Sequence, residues 1–149
     1  MNTEPLFELR LSVPVVQAPG GPAGYERRLG LIDGGRFEGE NLSGIVLPGG
    51  NDLQTIRSDG AVLIDARVVL QTNDGAAIAM IYTGIRHGPS DVMARIAAGE
   101  DVDPASYYFR VTATFATSDS RYAWLNTIIA VGSGRRLPDG PVYSLHRLA

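Results

Sequence analysis

The sequence contains no cysteine and no lysine: all 13 basic side chains are arginine, and histidine occurs only at His87 and His146. Each absence removes a class of chemistry. Without cysteine there is no thiol nucleophile, no disulfide framework and no thiolate metal site. Without lysine there is no Schiff base, no pyridoxal phosphate anchor and no P-loop lysine. Two histidines are too few for a histidine-built zinc site, and no carboxylate–histidine spacing supplies further ligands. Neither a metal nor a cofactor is expected.

Long apolar runs are missing as well. The longest, Ala76 to Tyr82, falls far short of the ~20 residues of a membrane helix. Met1-Asn2-Thr3-Glu4 does not open a signal peptide, so a cytoplasmic protein with no membrane partner is expected. With 16 acidic against 13 basic residues the formal charge is -3. Nucleic acid is not an expected partner, because phosphate contacts need clustered cations. The pairs Arg27-Arg28 and Arg135-Arg136 are isolated and read as solvated strand ends. At 149 residues the chain is one domain, residues 1–149, with no linker or internal repeat.

What is present is turn chemistry alternating with strand patterns. Asp33-Gly34-Gly35, Pro48-Gly49-Gly50-Asn51-Asp52, Ser58-Asp59-Gly60, Asn73-Asp74-Gly75 and Pro138-Asp139-Gly140-Pro141 supply residues that pre-set a turn or tolerate positive φ. Between them, Leu6–Val16 alternates apolar and polar residues, as does Tyr107–Thr117. Val62, Ile64, Ala66, Val68 and Leu70 share one face of another strand. Ile78–Ile85 is apolar on both faces, and Leu125–Val131 and Val142–Leu148 complete the set. A single helix is expected near residues 89–99, with Ser90 as N-cap and Gly99 as its stop. Short strands joined by hairpins predict an all-β fold, an antiparallel up-and-down barrel of about eight to nine strands that abolishes its own edges.

From Gly35 onward the chain resembles a known family. The residues that carry the resemblance are Gly39, Gly44-Ile45-Val46-Leu47-Pro48-Gly49-Gly50-Asn51-Asp52, Asp59-Gly60, Leu63-Ile64-Asp65-Ala66-Arg67 and Thr72-Asn73-Asp74-Gly75-Ala76. Tyr108-Phe109-Arg110, Phe115 and Tyr122-Ala123-Trp124-Leu125-Asn126 follow in the same order. The ordered set is similar to domain-of-unknown-function family 3237, also called uncharacterised protein family 0311, whose members are small bacterial β-barrel proteins. The resemblance implies a barrel and brings no settled activity. Leu53 and Val68 stand where that family usually has aromatic residues. If those positions line a pocket, this member's pocket is wider or differently shaped.

Period-2 geometry puts Asp65 and Arg67 on one strand face, ~6.6 Å apart. Tyr108 and Arg110 repeat the arrangement, and Trp124 and Asn126 do so on the next expected strand. Asp or Tyr would serve as general base and Arg would stabilise a developing oxyanion or enolate. The candidate catalytic residues are therefore Asp65, Arg67, Arg110 and Tyr108. Trp124, Asn126, Asp52 on its Gly-rich turn, and Tyr82 are the candidate substrate contacts. A second reading stays open: if the cleaner apolar face of Val62–Leu70 lines the barrel, Asp65 and Arg67 point outward as a structural pair.

The expected function is small-molecule binding with cofactor-free acid/base chemistry of the isomerase, cyclase or lyase type, acting on a small carbonyl or aromatic compound. The alternatives are a non-catalytic carrier or sensor, and a self-associating scaffold whose strand Ile78–Ile85 forms a homodimer interface.

Overall fold

Along Val62–Thr72 every second side chain is buried, from Val62 and Ile64 to Leu70 and Thr72, while Arg67 and Val69 are exposed. The same alternation marks the strands Ala77–His87 and Tyr108–Ala116. Strands with one apolar face must cover it, and here a single sheet does so by curling onto itself.

The computed structural model describes the whole chain, Met1–Ala149. Its strands are β1 (Thr3–Ser12), β2 (Val15–Gly20), β3 (Tyr25–Ile32), β4 (Gly34–Glu38), β5 (Ser43–Val46) and β6 (Gly50–Arg57). They continue as β7 (Val62–Thr72), β8 (Ala77–His87), β9 (Tyr108–Ala116), β10 (Ala130–Leu137) and β11 (Gly140–Leu148), with one helix, α1 (Ser90–Ala97), between β8 and β9. Eight antiparallel strands close the barrel in the order β7-β5-β4-β1-β11-β10-β9-β8 and back to β7. From β7 to β11 the path is up and down through consecutive hairpins, and β1 pairs with β11 to seal the wall. At Leu47–Gly49 the sheet forks. β5 pairs with the Leu70–Thr72 end of β7, and β6 pairs with its Val62–Arg67 end. From β6 the sheet runs outward through β3 to β2, adding a flap to one end of the barrel.

Four local expectations are corrected. The strand expected over Leu6–Val16 ends at Ser12, and after the Val13-Pro14 bend the chain enters β2; the Val13 N–H donates to Asp139 O at 2.9 Å. Gly50-Asn51-Asp52 is not a turn but the start of β6, because it covers the part of β7 that β5 leaves bare. The strand expected over Leu125–Val131 begins only at Ala130, after a 3-10 segment at Ser120–Thr127. Side chains hold that segment out of the ladder: Asn126 bonds both backbone groups of Thr117, and the Tyr122 hydroxyl donates to Asp74. Helix α1 starts at Ser90 itself and has no side-chain cap. Its C-terminal stop is as expected, with Gly99 at φ +85°.

The two barrel ends differ. Tyr122 and Leu125 close one end over Phe7, Phe37 and Phe115, whose rings meet edge to face at 5.4 and 6.0 Å. At the other end the flap and α1 stand around an opening.

Candidate functional site

Inward-facing positions on β8 run Ile78, Met80, Tyr82, Gly84 and Arg86. Cross-strand register places Tyr82 opposite Ala66, which is itself opposite Asp52 on β6. Two steps along, beyond the row of Ile64, Gly84 and Val111, Val62, Arg86 and Phe109 form another row, and Tyr143 of β11 packs between Tyr82 and Phe109. Small residues in one row therefore make room for the polar groups of the other. Asp52 and Arg86 are buried, at 4% and 7% exposure.

These residues surround a cavity of about 460 Å³ at the open end, a size that suits a small ligand. Asp52, Gln54, Val62, Arg86, Arg136 and Tyr143 form its floor and sides. Val16 and Arg28 of the flap wall it on one side, and Met93 and Ile96 of α1 on another.

The electrostatics follow from burial. Asp52 Oδ2 accepts from Gln54 Nε2 at 3.0 Å, while Oδ1 is buried without a partner in the protein. Burial raises the Asp52 pKa from its ordinary value, against the opposing pull of Gln54 and of Arg86 and Arg136. The Arg86 guanidinium lies 5.3 Å over the Phe109 ring, makes no ion pair, and has a buried Nε without a partner. Burial lowers its pKa, but an arginine starts so high that it stays a cation. The Tyr82 and Tyr143 rings meet edge to face at 5.2 Å, with both hydroxyls buried and unpartnered. Burial pushes both phenols upward in pKa, so they are neutral hydrogen-bond donors. A carboxyl inclined to hold its proton, a fixed cation and the Tyr143 phenol thus share one apolar-walled space, with Tyr82 packed behind Tyr143. Such a set can transfer a proton and stabilise negative charge on an oxygen.

The eight residues singled out in the sequence fall in three places. Asp52 lines the cavity, from a strand and not from a loop, whereas Tyr82 is buried in the core behind Tyr143. Asp65 and Arg67 face outward as an ion pair at 3.4 Å with side chains 47% and 54% exposed, because β7 turns its apolar face to the core. Tyr108 and Arg110 face outward on β9, with the guanidinium 5.2 Å over the phenol ring. Trp124 and Asn126 sit on the 3-10 segment at the opposite end, where Asn126 serves the backbone of Thr117. Asp65, Tyr108 and Arg110 do line a second concavity, an outer groove of about 1030 Å³. Though larger, it holds no buried unpartnered polar group, and water screens its charges. The interior cavity is therefore the candidate site.

Arg86, Tyr143 and Arg136 escaped the sequence reading. A signal for the first was there: Arg86 continues the parity of Ile78, Met80 and Tyr82, an arginine on an otherwise apolar stripe. Leu53 faces the outer groove, whereas Val68 is buried inside the barrel. No group of three or more carboxylate or histidine side chains converges as a metal site would. No helix is long and apolar enough to cross a membrane.

The chain belongs to the family described as Protein of unknown function (DUF3237), whose model matches residues 1–148. A UPF0311 protein of Clostridium acetobutylicum is 36% identical over 151 residues, spanning 100% of this chain and 95% of that protein. The crystal structure of a conserved protein of unknown function from Rhodopseudomonas palustris is similar at TM-score 0.96 and 34% identity, covering 99% of this chain and 97% of that one. The chain is also 30% identical over 107 residues to the hydroalkoxylation enzyme phnH of Penicillium herquei, spanning 72% of this chain and 56% of that protein. An enzyme structure from the same fungus has a TM-score of 0.74 at 25% identity, covering 99% of this chain and 94% of that one.

Proposed function

We propose that this DUF3237 member is a cofactor-free acid/base enzyme that acts on a small aromatic or carbonyl compound in the open end of its barrel, with Asp52 as the proton-transfer group. The carrying observation is the Asp52 carboxyl, buried with Oδ1 free of any protein partner, near an Arg86 guanidinium that no carboxylate neutralises. Burial keeps a proton on Asp52 to a higher pH than usual, which suits a general acid. Arg86 and the phenol group of Tyr143 would hold the oxygen on which charge develops.

The similarity to a fungal hydroalkoxylation enzyme supports the cyclase or lyase branch of this reading. Hydroalkoxylation adds an O–H bond across a C=C bond. Asp52 would give its proton to one alkene carbon while the substrate oxygen bonds to the other. The substrate oxygen loses one proton and the carboxylate regains one, directly or through water, so no oxidant, reductant or metal is needed to balance the step.

The test is turnover of a panel of 2-allylphenols to dihydrobenzofurans, followed by chromatography. The wild-type protein should convert at least one, and Asp52→Asn should lose ~100-fold or more of that rate with its melting transition intact. Equal rates in the two proteins would remove Asp52 from the chemistry. Panel members that bind and are all recovered unchanged would make the barrel a carrier instead.

A further inference from the structure

We infer that the cavity binds its ligand through an anionic oxygen conjugated to a flat ring, a phenolate or enolate, held by the guanidinium groups of Arg86 and Arg136. The inference rests on the reading of the interior cavity as the ligand site and adds the charge state of what enters it.

The first argument is charge balance. Three arginines, Arg28, Arg86 and Arg136, line the cavity against one carboxyl, Asp52. The ion pairs elsewhere in the molecule use arginines on the outer surface, and at the rim Arg28 approaches Glu26 at 3.9 Å. Arg86 and Arg136 take part in none of them. Arg136 spends Nη1 on the Leu137 carbonyl at 2.6 Å and its backbone N–H on the Tyr107 hydroxyl at 2.9 Å. Both guanidinium groups keep donors for a ligand. Arg86 is the stronger case, since it is buried and makes no hydrogen bond to any protein group. A buried guanidinium without a counter-charge is costly, and an anionic ligand relieves that cost.

The second argument selects the kind of anion. Ile56, Val62, Met93 and Ile96 make much of the wall apolar, and Tyr143, packed edge to face on Tyr82 and Phe109, presents an aromatic ring beside the charges. A phosphate would have to shed strong hydration into such walls. A charge delocalised over a ring sheds less, and the ring packs against aromatic and thioether groups. The Tyr143 hydroxyl, which lines the cavity and has no protein acceptor, is free to donate to the same oxygen.

The experiment uses 4-nitrophenol, whose neutral and ionised forms absorb at different wavelengths, and 4-nitroanisole, which cannot ionise. In absorbance titrations about one unit below the free dye's pKa, the bound dye should show the phenolate band, because a cation beside it favours the charged form. The anisole should bind ~10-fold or more weakly. Arg86→Met should abolish the phenolate band, and Arg86→Lys should retain part of it, since it keeps the charge without the fork. Dye bound as the neutral phenol, anisole binding equally well, or Arg86→Met binding phenolate unchanged would each overturn the inference while leaving the cavity as a ligand site. A separate control tests that premise. Ala94→Trp, an exposed helix position at the cavity edge, should block both compounds. If it stays folded and both still bind as before, the cavity reading fails together with the inference.

Discussion

Asp52 and Tyr82 stand two strands apart yet share one inward-facing row, with only the methyl group of Ala66 between them. Ala66 has no exposed surface, and its small size leaves room between the carboxyl and the phenol. Ala66→Leu should fill that gap. Overpacking should cost ~1–3 kcal/mol in urea unfolding, and 4-nitrophenol binding should be lost. A variant that is destabilised but binds the dye normally would show that this gap does not shape the ligand site.

Burial raises the pKa of Asp52 from its ordinary value of 3.8. Between that value and the folded-state value the folded chain holds a proton that the unfolded chain has released. The associated stability is present below 3.8, is lost as pH rises through the window, and levels off above the folded pKa. Asp52→Asn removes the titration while keeping the shape. Its melting temperature relative to wild type should therefore climb with pH above about 4 and then stay constant. Asp59 and Asp119, both lowered to about 2 by arginine partners, pull the other way at acid pH but do so in both proteins and cancel in the difference. Parallel melting curves across the range would mean that Asp52 is not desolvated.

Arg86 should be a liability to the fold. It buries a cation against Phe109 with no carboxylate partner, and apolar replacements of buried charges are commonly neutral or stabilising. Arg86→Met should unfold at equal or higher denaturant, by up to ~4 kcal/mol, while binding the dye ~10-fold or more weakly. Sites that trade stability for function behave in this way. A large loss of stability would instead assign Arg86 a structural role.

The barrel was legible from the sequence because period-2 alternation on β7, β8 and β9 is a direct record of which face is buried, and Gly60 and Gly75 mark their turns at φ +87° and +94°. The location of the site was less so. Polar residues at alternate positions, such as Asp65 with Arg67, look like a constellation, but on a barrel strand the polar face is ordinarily the wet one. The informative pattern was the reverse, a single charged residue on the apolar face, and Arg86 shows it at the end of the Ile78–Tyr82 stripe. Asp52 was recognisable, though as a turn residue, since Pro48-Gly49-Gly50 hides the start of β6. Tyr143 gave no sign, because its pairing with Tyr82 depends on β11 closing the wall.

Gly134 tests the site from outside it. A Cβ at this position would come within 2.7–2.9 Å of the Phe109 ring carbons, closer than packed atoms allow, so Gly134→Ala must shift the ring that carries the Arg86 guanidinium. The backbone there is not in the left-handed region, so the effect is one of packing alone. Stability should fall by ~1–3 kcal/mol, and phenolate affinity by about 10-fold. A double-mutant cycle separates the causes. If the ring acts through Arg86, Gly134→Ala should weaken dye binding in the wild-type background but change little once Arg86→Met is present, an interaction energy of ~1 kcal/mol or more. Losses that simply add would mean that Phe109 shapes the cavity directly, and that the stack of ring on guanidinium does not position the cation.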